Sequence, residues 1–180
     1  MVKANEAPAQ LNRLESGAIP EFSTLVRRYQ GMVFGIAWNY LNNRNSAEEV
    51  AQDVFVQLYQ HWGEIGSELH AVNWLRRTAL HRAIDCGRRR IRLLQLADLT
   101  DPAAPEACCD PLRKEYLRRL VGSLPEVKRA IIVLRFQEDL EIEEIAQLMR
   151  MPAGTIKSEL RRALDLLRQK AIRVLGENAL

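Results

Sequence analysis

Cysteine, histidine and aromatic residues are all scarce in this chain of 180 residues. It contains three cysteines, three histidines and 6% aromatic residues. An odd cysteine count, with Cys108 next to Cys109, is not the pattern of a disulfide framework. The phosphate-binding glycine-rich loop, H-E-x-x-H and C-x-x-C are missing as well. We therefore expect no enzyme, no metal site and no cofactor.

Long apolar runs are also missing. Residues 1–20 lack the apolar core of a signal peptide. No stretch approaches the roughly 20 apolar residues that a membrane-spanning helix needs. These absences predict a cytoplasmic protein with no membrane insertion.

Charge is abundant and unevenly distributed. Charged residues make up 27% of the chain, and the net charge is +3. Residues 71–92 contain seven arginines and one aspartate, and residues 112–180 contain fourteen basic and ten acidic side chains. Residues 93–111 contain four acidic side chains and no basic one. Two separate basic segments indicate a polyanionic partner, because contact with phosphates releases their counterions.

Helix-forming residues and helical periodicity predict an all-α fold. Apolar residues at steps of three and four predict a helix over 22–41. A second helix is predicted to open at Ser46, which has the capping-box spacing with Glu49. Residues 63–70 contain two glycines and are predicted to form a loop, followed by a third helix over about 71–90.

An acidic, proline-containing segment divides the helices into two small domains. Residues 94–111 contain three prolines without helical periodicity, which predicts a flexible linker. Further helices are predicted at about 112–121, 125–137, 141–149 and 153–174, with Pro125 in a first turn. The predicted divisions are a flexible lead-in (1–20), a first domain (21–93), the linker (94–111), a second domain (112–175) and a tail (176–180).

The last two predicted helices are separated only by the step from Met149 to Gly154, which is typical of a helix-turn-helix. Apolar periodicity turns one face of the second helix to the core. The side chains left outward are Thr155, Lys157, Ser158, Arg161 and Arg162. Such side chains can contact phosphates or base edges in the major groove. A solvated basic face on an ordinary amphipathic helix is the alternative.

The predicted third helix is rich in arginine. Its cationic series is Arg76, Arg77, His81, Arg82, Arg88, Arg89, Arg90 and Arg92. Arg77 and His81 are four residues apart and so share a helix face. Such a face can follow a sugar–phosphate backbone, although a surface charge run is the alternative. Trp74 can stack on a base, but tryptophan at helical spacing is more often part of the core.

The second predicted helix carries an acidic patch. Its members are Glu48, Glu49, Gln52 and Asp53. No histidine or cysteine ligand set lies nearby, so the patch does not have the composition of a metal site. Its spacing alone indicates a solvated face with favourable first-turn charges.

Three stretches together resemble the extracytoplasmic-function (ECF) sigma factors, the minimal branch of the main bacterial sigma-factor family. Residues 46–55, SAEEVAQDVF, resemble the polymerase-docking helix of region two. Residues 74–90 resemble its promoter-melting helix. Segments between 124 and 158, including GTIKS at 154–158, resemble region four. The order of the stretches, with an acidic linker between them, makes the resemblance specific.

The resemblance implies an RNA polymerase sigma factor that directs core polymerase to promoters and is held inactive by an anti-sigma factor. It implies a region-two three-helix bundle and a region-four helix-turn-helix domain. Core polymerase would be contacted at its flap and, through Glu49, Gln52 and Asp53, at the clamp helices of its largest subunit.

The resemblance also divides promoter recognition between the two basic segments. The loop at 63–73 would capture a flipped base of the minus-ten element. The side chains implied to bind minus-ten DNA are Asn73, Trp74, Arg77, His81, Arg82, Arg88 and Arg89. Those implied to read the minus-thirty-five element are Thr155, Lys157, Ser158, Arg161 and Arg162.

The sequence departs from the family pattern at four positions. His81 stands where asparagine is usual, and Glu159 and Leu164 stand where arginine is common. Arg150 occupies a turn position where glycine is usual. A positive φ at Arg150 would cost roughly 1 kcal/mol.

Three other classes of protein remain as alternatives. A stand-alone helix-turn-helix transcriptional regulator would leave the arginine-rich helix and the acidic patch without a role. A recombinase or other DNA-processing enzyme would need a catalytic serine, tyrosine or carboxylate cluster, and none stands out. A protein-interaction module would lack affinity for nucleic acid at low salt.

Overall fold

The computed structural model describes residues 20–97 and 111–177. Within these two ranges the chain folds into seven α-helices and one turn of 3-10 helix, Trp62–Glu64, with no strand. The helices are α1 (Phe22–Leu41), α2 (Arg44–Gln60), α3 (Glu68–Ala97), α4 (Pro111–Gly122), α5 (Glu126–Phe136), α6 (Ile142–Met149) and α7 (Ala153–Glu177). The predicted all-α class is confirmed.

The first three helices form a bundle in which each packs against the other two. Leu25 and Ile36 of α1, Leu58 of α2 and Leu75 of α3 are fully buried at its centre. Fully burying one such side chain contributes about 1.5–3 kcal/mol to stability. A polar contact adds to this core, because the Tyr29 hydroxyl donates a hydrogen bond of 2.7 Å to Glu68 in the first turn of α3.

Asn43, rather than Ser46, sets the start of α2. The Asn43 side-chain oxygen accepts a hydrogen bond of 2.9 Å from the Ser46 backbone N–H, and the helix begins at Arg44. Ser46 therefore lies at the third helical position, where its own N–H is one of those that need a cap. The predicted capping box between Ser46 and Glu49 is wrong.

The third helix is longer at both ends than the predicted span of 71–90. It begins at Glu68, where the Ser67 hydroxyl accepts a hydrogen bond of 3.1 Å from the His70 N–H, and it ends at Ala97. The predicted loop at 63–70 is thereby reduced, since its first residues join the 3-10 turn and its last residues join α3. Most of the predicted linker, with Cys108 and Cys109, lies outside the described residues, as do nearly all of the predicted lead-in and the end of the predicted tail.

Helices α4 to α7 form a second group, in which α4, α5 and α6 all pack against α7. Pro125 is the N-cap of α5, one position before the predicted first turn. The turn between α6 and α7 passes through Arg150, which has φ 54° and ψ 44°. Arg150 therefore has the positive φ that the usual glycine at this position would tolerate without strain. α7 begins three residues after α6 ends, as a helix-turn-helix requires.

The two helical groups lie against each other. α1 contacts α4 and α5, and α3 contacts α6. Ala130, Ile131 and Leu134 of α5 are fully buried in one apolar cluster that also contains the core of α1–α3. Side chains of α3 are consequently covered in part by the second group.

Candidate nucleic-acid interface

The N-terminal half of α7 presents three cations to solvent. Ile156 and Ala163 are fully buried and hold the opposite face of the helix against the second group. Lys157, Arg161 and Arg162 are exposed. Cationic side chains on one helix face can reach phosphates and guanine edges of a major groove. The outward direction predicted for these three residues is confirmed.

The two hydroxyl side chains predicted beside these cations are less accessible. Thr155 and Ser158 are both half-buried. The Ser158 hydroxyl donates a hydrogen bond of 2.9 Å to the Thr155 carbonyl. This bond uses the only proton of the Ser158 hydroxyl, which leaves its oxygen lone pairs for a partner. The exposed surface of α7 is therefore dominated by cations.

Glu159 ties α7 to α5 and to its own neighbour. Its carboxylate oxygens lie 2.7 Å from Lys128 Nζ and 2.6 Å from Arg162 Nη1. Hydrogen bonds, first from Lys128 and then from Arg162, lower the pKa of Glu159. Glu159 thus offsets part of the charge of Arg162 while it attaches α7 to α5. Sequence reasoning identified only its departure from the family pattern.

One set of the α3 side chains predicted to bind DNA is open to solvent. Asn73, His81 and Arg89 are exposed. None of the three forms a side-chain hydrogen bond or ion pair with another described residue. They are available to a ligand without the loss of an internal contact.

A second set on α3 already has partners within the protein. Trp74 packs partly against the core, as its spacing favours, with its ring 6.1 Å from that of His61. The Arg77 guanidinium donates to the Gln147 carbonyl of α6 at 3.5 Å. Arg82 is half-buried, and the Gln57 amide oxygen accepts hydrogen bonds from it when the amide is oriented to satisfy both groups. Contact with DNA would require these side chains to share or exchange partners.

Two further arginines of α3 pair with carboxylates of the second helical group. Arg88 donates hydrogen bonds of 2.8 and 2.6 Å to the two carboxylate oxygens of Glu126. Arg76 Nε lies 3.5 Å from Glu138 Oε2, and the two side chains are 4% and 6% exposed. Arg76 therefore does not belong to the open basic face that the sequence predicted, because the second group covers it.

The acidic patch of α2 is exposed along one helix face. Glu48 accepts a hydrogen bond of 2.9 Å from Arg44, one turn earlier. Glu49, Gln52 and Asp53 are exposed and form no side-chain hydrogen bond or ion pair with the rest of the described chain. These three polar side chains are thus free to bind a partner.

Two apolar residues extend the acidic patch and were missed by sequence reasoning. Val56 and Tyr59 are 56% and 68% exposed, at steps of three from Asp53 along α2. Exposed apolar side chains beside charged ones can form part of a protein-binding face. The sequence pattern that could have identified them is the occurrence of apolar residues on the side of α2 opposite its buried residues.

In the parts of the chain that the structure describes, no group of three or more histidine, cysteine, aspartate or glutamate side chains could hold a metal ion. No helix in those parts is long and apolar enough to cross a membrane. Cys86 is a half-buried free thiol on α3.

Both helical groups match known protein-family models. Residues 25–93 match Sigma-70 region 2, and residues 114–167 match Sigma-70, region 4. The first match lies within α1–α3 and the second within α4–α7.

Curated relatives resemble the chain over most of its length. The ECF RNA polymerase sigma-E factor of Haemophilus influenzae is 31% identical over 180 residues, which cover 90% of this chain and 93% of the relative. The ECF RNA polymerase sigma factor RpoE of Cereibacter sphaeroides is 34% identical, with coverage of 82% and 84%. The RNA polymerase sigma-H factor of Pseudomonas aeruginosa is 28% identical, with coverage of 94% and 95%.

Two solved structures share the fold. The sigma factor RpoE in complex with the anti-sigma factor NepR, from Bartonella quintana, has a TM-score of 0.68 at 22% identity and covers 82% of this chain and 94% of its own. CnrH in complex with the cytosolic domain of CnrY has a TM-score of 0.63 at 21% identity, with coverage of 83% and 86%. From the two family models and the relatives that match over most of its length, the chain belongs to the ECF sigma factors of RNA polymerase.

Proposed function

We propose that this sigma factor directs core RNA polymerase to its promoters through three separate faces, on α2, α3 and α7. Residues 21–93 act as region two, residues 112–175 act as region four, and residues 94–111 link them. The observation that carries the proposal is the separation of charge: free carboxylates lie on α2, whereas exposed cations lie on α3 and α7. An acidic face suits a protein partner, and basic faces suit DNA.

The face on α2 docks on core polymerase. Glu49, Gln52 and Asp53 are exposed and have no side-chain partner among the described residues. They contact the clamp helices of the largest subunit. Val56 and Tyr59 supply apolar area beside them. Region four binds the flap of the same enzyme. Tethering of two modest contacts raises the effective concentration of each, so neither face has to bind tightly alone.

The faces on α3 and α7 bind the promoter in different forms. On α3, Asn73, His81 and Arg89 are open to single-stranded minus-ten DNA. The same surface also includes four side chains that exchange their internal partners for DNA: Trp74, Arg77, Arg82 and Arg88. On α7, Lys157, Arg161 and Arg162 enter the major groove of the minus-thirty-five element, with Thr155 and Ser158 beside them.

The sigma factor works without a cofactor and in the cytoplasm, where core polymerase and DNA are found. As a member of this family it is an initiation factor and not an enzyme, since polymerase performs the chemistry. An anti-sigma factor is its expected regulator, because two solved relatives of the fold are complexes of that kind.

Transcription from a randomised promoter library tests the proposal. Purified core polymerase and the sigma factor are mixed with the library, and the transcripts are sequenced. Specific start sites should appear, and they should be lost with Asp53→Arg and with Lys157→Glu/Arg161→Glu. Gln30→Arg on α1 and Arg168→Glu, two turns further along α7, are the matched controls and should keep the start sites.

Failure to bind core polymerase would contradict the proposal. If the chain binds duplex DNA tightly and in a salt-sensitive way but never binds core polymerase, it is a stand-alone regulator and the proposal is wrong. Binding of neither DNA nor polymerase would favour a protein-interaction module.

A further inference from the structure

The three exposed cations in the N-terminal half of α7 differ in whether the protein holds them. Lys157 and Arg161 form no side-chain hydrogen bond or ion pair with another described residue. Arg162 Nη1 donates a hydrogen bond of 2.6 Å to Glu159 Oε1, one turn earlier on the same helix. The basic surface of α7 therefore contains two cations that are not held and one guanidinium that is.

The carboxylate that holds Arg162 is itself fixed by α5. Lys128 Nζ lies 2.7 Å from Glu159 Oε2, so the two carboxylate oxygens have different partners. The side chains of Lys128 and Glu159 are 19% and 15% exposed, and salt screens such a pair less than an exposed one. α5 is a firm support because Ala130 and Ile131 are fully buried. Two ion pairs in series thus connect the Arg162 guanidinium to the core.

Glu159 is placed to act through Arg162 and not on DNA directly. Both of its carboxylate oxygens are occupied, and its side chain is largely covered. The Arg162 side chain is 63% exposed, and the bond to Glu159 uses one of the five N–H donors of a guanidinium. A guanine in the major groove presents two acceptors, O6 and N7, to a fork of two arginine donors. The held guanidinium keeps enough donors to form that fork.

A guanidinium that is held before binding suits a base edge better than a mobile cation does. Phosphates repeat along the whole backbone, so a mobile cation reaches one in any sequence. The fork on guanine requires one orientation of the guanidinium plane. A side chain that is already held does not have to be ordered when DNA binds. Arg162 therefore differs from Lys157 and Arg161 in the kind of contact it favours.

We infer that Glu159 is a positioning residue, which holds Arg162 so that its guanidinium reads one guanine of the minus-thirty-five element. This role rests on the proposed binding of α7 to that element. Lys128 acts one step further back, because it fixes the carboxylate of Glu159.

NMR relaxation of the arginine side chains tests the holding without DNA or polymerase. The probe is the Nε–H group of each arginine in the isotopically labelled full chain. Its order parameter at Arg162 should exceed that at Arg168, whose side chain is 75% exposed and reaches Asp165 only at 3.6 Å. Glu159→Ala should lower the Arg162 value to that of Arg168, whereas the control Asp165→Asn should leave it unchanged. An Arg162 value that Glu159→Ala does not lower would overturn the inference.

Transcription from the randomised promoter library, with core polymerase and the full chain, tests the reading of guanine. One position of the minus-thirty-five element should prefer guanine by about fivefold or more, as a bidentate contact provides. Arg162→Lys keeps the charge without the fork, so it should abolish the preference at that position alone. Glu159→Ala should reduce the same preference to about twofold or less, because the fork is no longer held. Asp165→Asn should keep the preference.

The outcomes separate positioning from a merely structural role. If Glu159→Ala weakens all positions of the element equally, Glu159 supports the helix as a whole and the inference is wrong. The same conclusion follows if Arg162→Lys abolishes a guanine preference that Glu159→Ala leaves intact. Specific start sites without any Arg162-dependent guanine would support the proposed function and overturn the inference. Absence of specific start sites would contradict both, while the relaxation measurement would still decide whether Glu159 holds Arg162.

Discussion

Glu159 of α7 and Lys128 of α5 form a close ion pair, with 2.7 Å between the carboxylate oxygen and Nζ. The same carboxylate binds Arg162 at 2.6 Å. One acidic residue therefore both attaches α7 to α5 and reduces the positive charge that α7 presents.

Glu159→Gln should consequently strengthen nonspecific DNA binding and weaken the fold. Arg162 gains freedom to contact a phosphate, so the slope of log affinity against log salt should steepen by about one. Fluorescence anisotropy with a random duplex at several salt concentrations measures the slope, and thermal unfolding measures stability. Asp165→Asn is the control, since among the described residues Asp165 pairs with exposed Arg168 on the same helix and not with another element. An unchanged slope would show that Arg162 already contacts DNA in the unmodified chain.

Arg150→Gly should stabilise the protein. Arg150 ends α6 with φ 54°, a conformation that costs an L-residue roughly 1 kcal/mol and glycine nothing comparable. Chemical denaturation should show a gain of about 1 kcal/mol in the free energy of unfolding. Arg150→Ala removes the same side chain but keeps the strain, so it should give no gain. Equal effects of the two substitutions would mean that the guanidinium, and not the backbone, matters here.

Asn43→Ala should destabilise α2 because it removes the cap of the Ser46 N–H. The expected loss is about 1 kcal/mol in the free energy of unfolding, measured by urea denaturation. Ser46→Ala should cost less, since the Ser46 hydroxyl is not the capping group. The reverse order of the two effects would reinstate the capping box of Ser46 and Glu49.

Stability should depend on pH through Glu138. Burial raises the pKa of Glu138 above its ordinary value, and the charge of Arg76 only partly opposes this. At a pH between the ordinary and the raised pKa, the folded chain therefore holds a proton that the unfolded chain has already released. The contribution of Glu138 is largest below the ordinary pKa of a glutamate and is lost as the pH rises through the raised value. Urea denaturation across this acidic range should show the fall for the unmodified chain and a flatter curve for Glu138→Gln, whereas Glu143→Gln should not flatten it.

Local patterns predicted much of the fold. The helix over 22–41 has the bounds of α1, because its apolar residues recur at a step that depends only on neighbours along the chain. The turn between α6 and α7 and the exposure of Lys157, Arg161 and Arg162 were predicted for the same reason. Predictions were less good at helix ends, where one side chain such as Asn43 or Ser67 decides the start.

What the sequence by itself determined is the family, the all-α class and the placement of opposite charges on α2, α3 and α7. Each of these depends on residues within one helix or on the order of motifs along the chain. Only the tertiary structure decided which of the α3 arginines are open. α5 packs on α1 and thereby brings the carboxylates of Glu126 and Glu138 to α3. Arg88 pairs with Glu126, which is 38 residues away in the sequence, and Arg76 is covered by Glu138. Helical periodicity describes the faces of one helix, and it contains no information about which other element will cover them.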